Sequence, residues 1–298
     1  CFFLTVWISK INCWNRYFII AIISATIYGL VPLLTINVYE SGSNSLTVAF
    51  LRFVVCSVIF LIAFFITSHE TILPQRKELP KLLVLAASFG FVPVLLYTSY
   101  NYLASGLATT LHFVYPAFVV LGSALFGIEK LTAKKIVCCL LCMAGIIAFY
   151  TPGGDISLTG VLIALASGVL YAFYTIYLSA SGLLEMNAYK LSFWKCLFAA
   201  VIIGICAAAS GNIALPGTGK GWIFMILLGA ATAVASFLYQ QATSYAGAQN
   251  TAMLSTFEPL TSVIVGYFVF NEALTGRSLA GIVCILLSVI LLSFGEKK

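Results

Sequence analysis

Apolar residues in this chain gather into long runs divided by brief polar breaks. The runs are about 18 to 24 residues long and lie at 17–36, 46–67, 81–103, 107–127, 134–151, 157–178, 187–210, 220–245, 250–270 and 277–294. Each can cross about 30 Å of hydrocarbon as a helix rising about 1.5 Å per residue. In lipid, backbone polar groups are satisfied only within helices or closed barrels. Barrel strands would be short and alternating, and these runs do not alternate. The pattern predicts an all-α polytopic membrane protein of about ten transmembrane helices. The connections are short. The longest polar one, Ser68 to Pro80, is too small to hold a soluble domain. The run Phe2 to Ile8 is too short to span and stays unassigned, and the opening Cys1 suggests a trimmed start.

The runs repeat. At an offset of 143 residues, Pro116 pairs with Pro259, Ser24 with Ser167, Tyr28 with Tyr171, Phe50 with Phe193, and Tyr102 with Tyr245. The same offset pairs Arg52 with Lys195, Lys134 with Arg277, and Glu129-Lys-Leu-Thr with Glu272-Ala-Leu-Thr. No gap is needed, so two five-helix repeats are expected over 17–151 and 157–294. They meet at Thr151-Pro-Gly-Gly-Asp155, a sequence that cannot continue a helix. Long repeats in so apolar a chain point to a carrier with its substrate path between related halves.

Composition agrees and sharpens orientation. Hydrophobic residues make up 62% and charged residues 8%, against roughly 25% charged in soluble proteins. The solvent for most of the chain is therefore lipid, and the formal charge of +6 is no nucleic-acid signal. With a cytoplasmic N-terminus, eleven Lys and Arg residues fall inside and only Lys220 and Arg277 outside. Both termini are expected in the cytoplasm, and the cell (inner) membrane is the expected location. Five helices per half is an odd number, so the second half enters the bilayer inverted. Inverted halves can exchange conformations and open one site to each side in turn.

Two stretches carry a family resemblance. Tyr115-Pro-Ala-Phe-Val-Val-Leu-Gly-Ser-Ala-Leu-Phe-Gly-Ile-Glu-Lys-Leu-Thr132 matches Glu258-Pro-Leu-Thr-Ser-Val-Ile-Val-Gly-Tyr-Phe-Val-Phe-Asn-Glu-Ala-Leu-Thr275 in form. Each has a Pro within an apolar helix and a Glu-x-Leu-Thr turn 13 residues later. This resembles the EamA repeat of the drug/metabolite transporter superfamily, over nearly the whole chain, twice. The resemblance implies a ten-helix inverted-repeat transporter, commonly an exporter of small metabolites or amino acids.

The candidate site residues are the polar and kinking ones at membrane depth. Glu258 lies about 12 Å into its run at 1.5 Å per residue. There an ionised carboxylate costs on the order of 3 kcal/mol unless paired, hydrated or protonated. It is the proton-coupling candidate, with a structural carboxylate as the alternative, and its repeat mate is Tyr115. Pro116 and Pro259 remove helix hydrogen bonds and free the carbonyls of His112 and Ser255, as packing kinks or gate hinges. Arg52 and Lys195 either snorkel to headgroups or stand at opposite cavity mouths. Ser24, Tyr28, Tyr97, Asn101, His112, Tyr115, Tyr171, Tyr174 and Gln240 complete the expected cavity, because polar groups in lipid seek the bundle interior.

Function follows by comparison of classes. No nucleophile motif, paired aspartates, His-rich metal set or phosphate-cradling loop occurs, so neither an enzyme nor a nucleotide-driven pump is expected. The cysteines, including Cys138-Cys139-x-x-Cys142, are read as small packing residues, with no metal or other cofactor. The expected activity is alternating-access export of small organic solutes such as amino acids, with protons as the coupling ion. The alternatives are an exchanger or facilitator of anionic metabolites and, behind it, a membrane enzyme or a scaffold. The partners are a small-molecule substrate and the lipid bilayer.

Overall fold

The computed structural model describes residues 13–99, 101–103, 105–149, 157–270 and 276–293. These form α1 (Cys13–Tyr39), α2 (Ser45–Thr67), α3 (Leu79–Ser99), α4 (Ser105–His112), α5 (Tyr115–Leu125) and α6 (Ala133–Phe149). They continue as α7 (Leu158–Ala180), a 3-10 turn (Leu183–Glu185), α8 (Ala188–Ala209), α9 (Gly219–Leu254), α10 (Phe257–Phe270) and α11 (Gly276–Ser293). The described residues hold no strand. Among the described residues, seven stretches are long and apolar enough to cross a membrane: Tyr17–Tyr39, Ser45–Thr67, Leu79–Ser99, Ala108–Leu125, Leu158–Ala180, Ala188–Ala209 and Gly219–Leu254.

Polar loop residues start the helices as side-chain caps. Asn44 accepts from the N–H of Thr47 at 2.9 Å, Asn187 from Tyr189 at 3.1 Å, and Thr218 from Gly221 at 3.1 Å. Each satisfies one of the donors that a helix start leaves open. Large apolar side chains cover the outside, among them Ile66 at 78% exposure, Phe126 at 77% and Leu140 at 64%. Such a surface suits hydrocarbon.

The prolines correct the expected helix pattern. The run 107–127 is not one helix, because α4 stops at His112 and α5 begins at Tyr115. Pro116 is the second residue of α5 and Pro259 the third of α10. A proline in the first turn lacks only an N–H that the helix start leaves open anyway. Both prolines therefore restart helices rather than kink them from within. The break expected between 245 and 250 falls at Gly247, whose non-helical backbone (φ 83°, ψ 166°) divides α9 into two helical stretches, and a second interruption follows at Ser255 and Thr256. The Thr151–Asp155 break, Glu272 to Thr275, Phe2 to Ile8, Lys10, Lys297 and Lys298 lie outside the described residues.

Packing joins the two repeats pair by pair. α1 lies antiparallel to α9, through a Tyr17–Tyr245 stack at 4.0 Å and a Ser24 hydroxyl donating to Ala235 O at 2.7 Å. The corresponding pair is α3 with α7, tied by Lys81 Nζ to Ser181 O at 2.6 Å. α2 and α8 run antiparallel, with Phe50 against Gly204 toward one end and the Asn187 side chain donating to the Ser68 hydroxyl at 3.4 Å at the other. So do α6 and α11, where Ser288 donates to Cys138 O at 2.8 Å and Gly145 meets Ile285. Thus α2 and α8, and α6 and α11, the pairs of helices equated by the 143-residue offset that touch directly, run in opposite directions. Cys142, in the cysteine cluster, contacts Ser288 and Thr256 hydroxyls at 3.1 and 3.5 Å.

Candidate functional site

Aromatic rings of α4, α5, α7 and α9 meet in the centre. Tyr171 is their hub, with ring centroids 4.6 Å from Tyr115, 5.6 Å from Tyr174, 5.7 Å from His112 and 5.8 Å from Tyr239. Beside this cluster opens a cavity of about 120 Å³. Its lining includes Tyr28, Arg52, Tyr97, His112, Tyr171 and Glu258, six of the residues expected from sequence. Phe89, Pro93, Thr109, Phe113 and Thr232 also line it. The volume is below the roughly 300–1,000 Å³ of ordinary ligand pockets. A solute of that larger size enters only if the walls move.

Two glycines let the helices reach these walls. A Cβ at Gly29 would lie 2.7 Å from Glu258 O, so α1 presses directly on the start of α10. A Cβ at Gly168 would lie 2.7 Å from His112 O, so α7 presses equally on the end of α4. Each contact falls where a proline restarts the chain, and each crosses between the repeats.

Charge is divided across the cavity. Glu258, in the first turn of α10, and Arg52, from α2, face it without a direct ion pair. Among the described residues the direct pair is Lys135–Glu129 at 3.3 Å, elsewhere. His112 has a defined tautomer. Ser167 donates its hydroxyl hydrogen to Ala164 O at 2.6 Å, so the His112 Nδ1 at 2.9 Å donates to Ser167. In that neutral tautomer Nε2 is the acceptor nitrogen.

Arg52 and Lys195 correct the snorkelling expectation. Arg52 is 7% exposed and Lys195 fully buried. The Arg52 guanidinium sits 5.0 Å from the Phe53 ring centroid, and Phe53 lies 5.3 Å from Phe89. On Phe89, in turn, rests the Lys195 ammonium at 4.6 Å, which also donates to the Tyr174 hydroxyl at 3.2 Å. The two cations converge on one aromatic pair instead of standing at opposite mouths. Antiparallel packing of α2 on α8 brings these offset mates together, and the aromatic faces attract both charges.

Five expected cavity residues lie off the lining. Ser24 is spent on Ala235 O. Gln240 accepts from Ser192 at 3.1 Å and donates to Ala188 O at 3.1 Å. Asn101 is exposed beyond the end of α3. Tyr174 stands one ring behind, stacked on Tyr171. Tyr115 is buried against His112, with ring centroids 5.6 Å apart. Phe89 and Thr232 were missed, although the 143-residue offset makes them mates and both line the cavity. Pro93, inside α3, was legible as a proline within an apolar run.

Known proteins share this arrangement. The model of the EamA-like transporter family matches residues 15–151 and again 158–294. An uncharacterized transporter of Archaeoglobus fulgidus is 29% identical over 273 residues, 91% of this chain and 93% of the relative. An S-adenosylmethionine uptake transporter of Rickettsia bellii is 25% identical, with 86% of each chain covered. One solved crystal structure superimposes with a TM-score of 0.80 at 16% identity, covering 93% of this chain and 96% of that one. At that identity the likeness shows the fold alone.

Proposed function

The chain belongs to the EamA-like transporter family, and from that premise we propose that it is a secondary transporter of small zwitterionic organic solutes. It works by alternating access between two inverted five-helix halves, ten membrane helices in all. The observation that carries this reading is the cavity in which Glu258 and Arg52 face one another among Tyr28, Tyr97 and Tyr171. A carboxylate, a guanidinium and aromatic faces complement an amino-acid-like solute: the Arg fork takes its carboxylate, while Glu258 and the rings take its ammonium or sulfonium. The antiparallel run of offset-related helices supports the inversion.

With both termini cytoplasmic, Arg52 and Tyr97 lie toward the outer face, and the Glu129–Lys135 turn, away from the cavity, lies toward the cytoplasm. The small volume suits a partly closed conformer that widens on exchange. Protons are the coupling ion, carried by Glu258: it binds either solute or proton, so movement of one drives the other. Net movement is export. The Rickettsia relative named for S-adenosylmethionine uptake makes that sulfonium amino acid a first substrate to try. An exchanger of purely anionic metabolites fits less well, because Glu258 would repel them in the same cavity.

The test is flux in proteoliposomes holding the purified protein, with amino acids and S-adenosylmethionine as labelled solutes, with and without a pH gradient. Saturable flux that a pH gradient accelerates is the expected result. Flux of dicarboxylates alone, indifferent to the gradient, would overturn it.

A further inference from the structure

The cavity is lopsided. Eleven of its fourteen lining residues come from the first half, and only Tyr171, Thr232 and Glu258 from the second. The 143-residue offset maps those eleven onto second-half positions. Two of the mates, Tyr171 and Thr232, already line the cavity. The other nine are all buried in protein, none above 5% exposure, and include Tyr174, Lys195, Ser236, Tyr239, Gln240 and Ser255. The second half thus holds, closed, the set of positions that the first half holds open.

Within that closed set, Lys195 stands out chemically. It is the offset mate of Arg52 and is fully buried. Yet among the described residues its ammonium meets the Tyr174 hydroxyl, the faces of Phe89 and Tyr174 and the nearby thiols of Cys196 and Cys56, and no carboxylate ion pair. A buried cation left without a counter-ion is costly, and structural roles are commonly filled without one. Phe89 both carries that ammonium and lines the cavity. The charge therefore lies beneath a cavity-wall residue.

We propose that Lys195 is the substrate-carboxylate site of the opposite-facing state, taking over the role that Arg52 plays in the state seen here. When the halves exchange conformations, α8 and the middle of α9 open as α2 and α3 are open now. Lys195 then emerges from Phe89 while Arg52 is closed off from the cavity. The solute's carboxylate passes between two cations seated on one adjoining pair of rings, so a positive charge serves it in either state. This rests on the alternating-access reading above and deepens it. The recognised chemistry is a carboxylate on a small solute.

Accessibility of the amine tests it in the unmodified protein. A membrane-impermeant acylating reagent is applied to right-side-out and to inside-out vesicles, and modification at each lysine is read by mass spectrometry. Lys190 and Lys81, near the loops, report exposed amines. Lys195 should react at least about tenfold faster from the cytoplasmic face. In the Arg52→Lys variant the new amine should show the reverse preference. In the flux assay, with S-adenosylmethionine and L-methionine as probes, Lys195→Met should raise cytoplasmic half-saturation about tenfold more than outer half-saturation. Lys195→Arg should restore most of the loss. Equal effects at both faces, or a Lys195 silent from both while the wild type carries flux, overturn this inference alone. Sided reactivity of Lys195 without flux of any amino acid upholds the exchange of states and overturns the substrate reading.

Discussion

The Glu129 carboxylate accepts a hydrogen bond from the backbone N–H of Gln249 at 3.1 Å, across the boundary between the two repeats. The geometry explains why α9 breaks where it does. Gly247, at φ 83° and ψ 166°, ends one helical stretch, and the chain restarts at once. The restart leaves open N–H groups and the positive end of a helix dipole, and an acidic side chain satisfies both. Lys135 holds the other carboxylate oxygen at 3.3 Å. The Gln249 side chain donates back to Val120 O at 3.1 Å, so the tie is double.

Removing that tie should loosen the halves. Glu129→Ala should cost about 1.5–3 kcal/mol, the range for a hydrogen bond to a charged group, and Glu129→Gln about half as much. Gly247→Ala should cost about 1–3 kcal/mol, because its backbone region is nearly glycine-only and a Cβ would lie 2.9 Å from the Glu129 carboxylate. Thermal unfolding in detergent measures these effects. If Glu129→Ala melts with the wild type, the carboxylate is no latch.

Glu258→Gln should abolish acceleration by a pH gradient and leave counterflow of labelled against unlabelled solute. The amide keeps the shape but cannot carry a proton. Gradient-driven accumulation that persists in the variant would remove Glu258 from coupling.

Arg52→Met should raise outer-face half-saturation about tenfold or more, through loss of a charge-assisted bond. Arg52→Lys should fall between, since an ammonium keeps the charge but lacks the planar fork. A solute esterified at its carboxylate should bind both variants and the wild type alike. A uniform loss for ester and free acid would assign Arg52 to packing.

Gly168→Ala should couple packing to binding. The added methyl meets the His112 carbonyl at 2.7 Å, and overpacking of this kind costs about 1–3 kcal/mol. Displacing α4 moves His112 out of the cavity wall. Half-saturation should rise along with a fall in melting temperature, whereas Gly219→Ala, with open space around its Cβ position and no left-handed backbone, should leave both near the wild-type values. Equal binding by the two variants would argue that the α4–α7 contact does not shape the cavity.

Much of the site was legible because lipid penalises unsatisfied polarity. Glu258, Arg52, His112, Tyr28, Tyr97 and Tyr171 all stood out as polar groups in apolar runs, and all line the cavity. The same logic misplaced Ser24 and Gln240. A hydroxyl or amide can spend its bonding on one backbone carbonyl of the next helix, and a run of sequence does not show which carbonyl lies opposite. Asn101 misled for a simpler reason: it lies past the end of α3, outside the buried depth. Phe89 went unnoticed because an apolar ring in an apolar run carries no contrast.

The chain by itself determined the helical runs, the twofold repetition and the offset that equates its halves, because hydrophobic length and residue type are one-dimensional properties. Where proline restarts a helix, which glycine admits a neighbour, and how close Arg52 lies to Lys195 were decided only in three dimensions. Those features depend on the antiparallel seating of α2 on α8 and on aromatic faces supplied by helices distant in sequence. Proximity between segments 143 residues apart is a property of packing, and no local pattern encodes it.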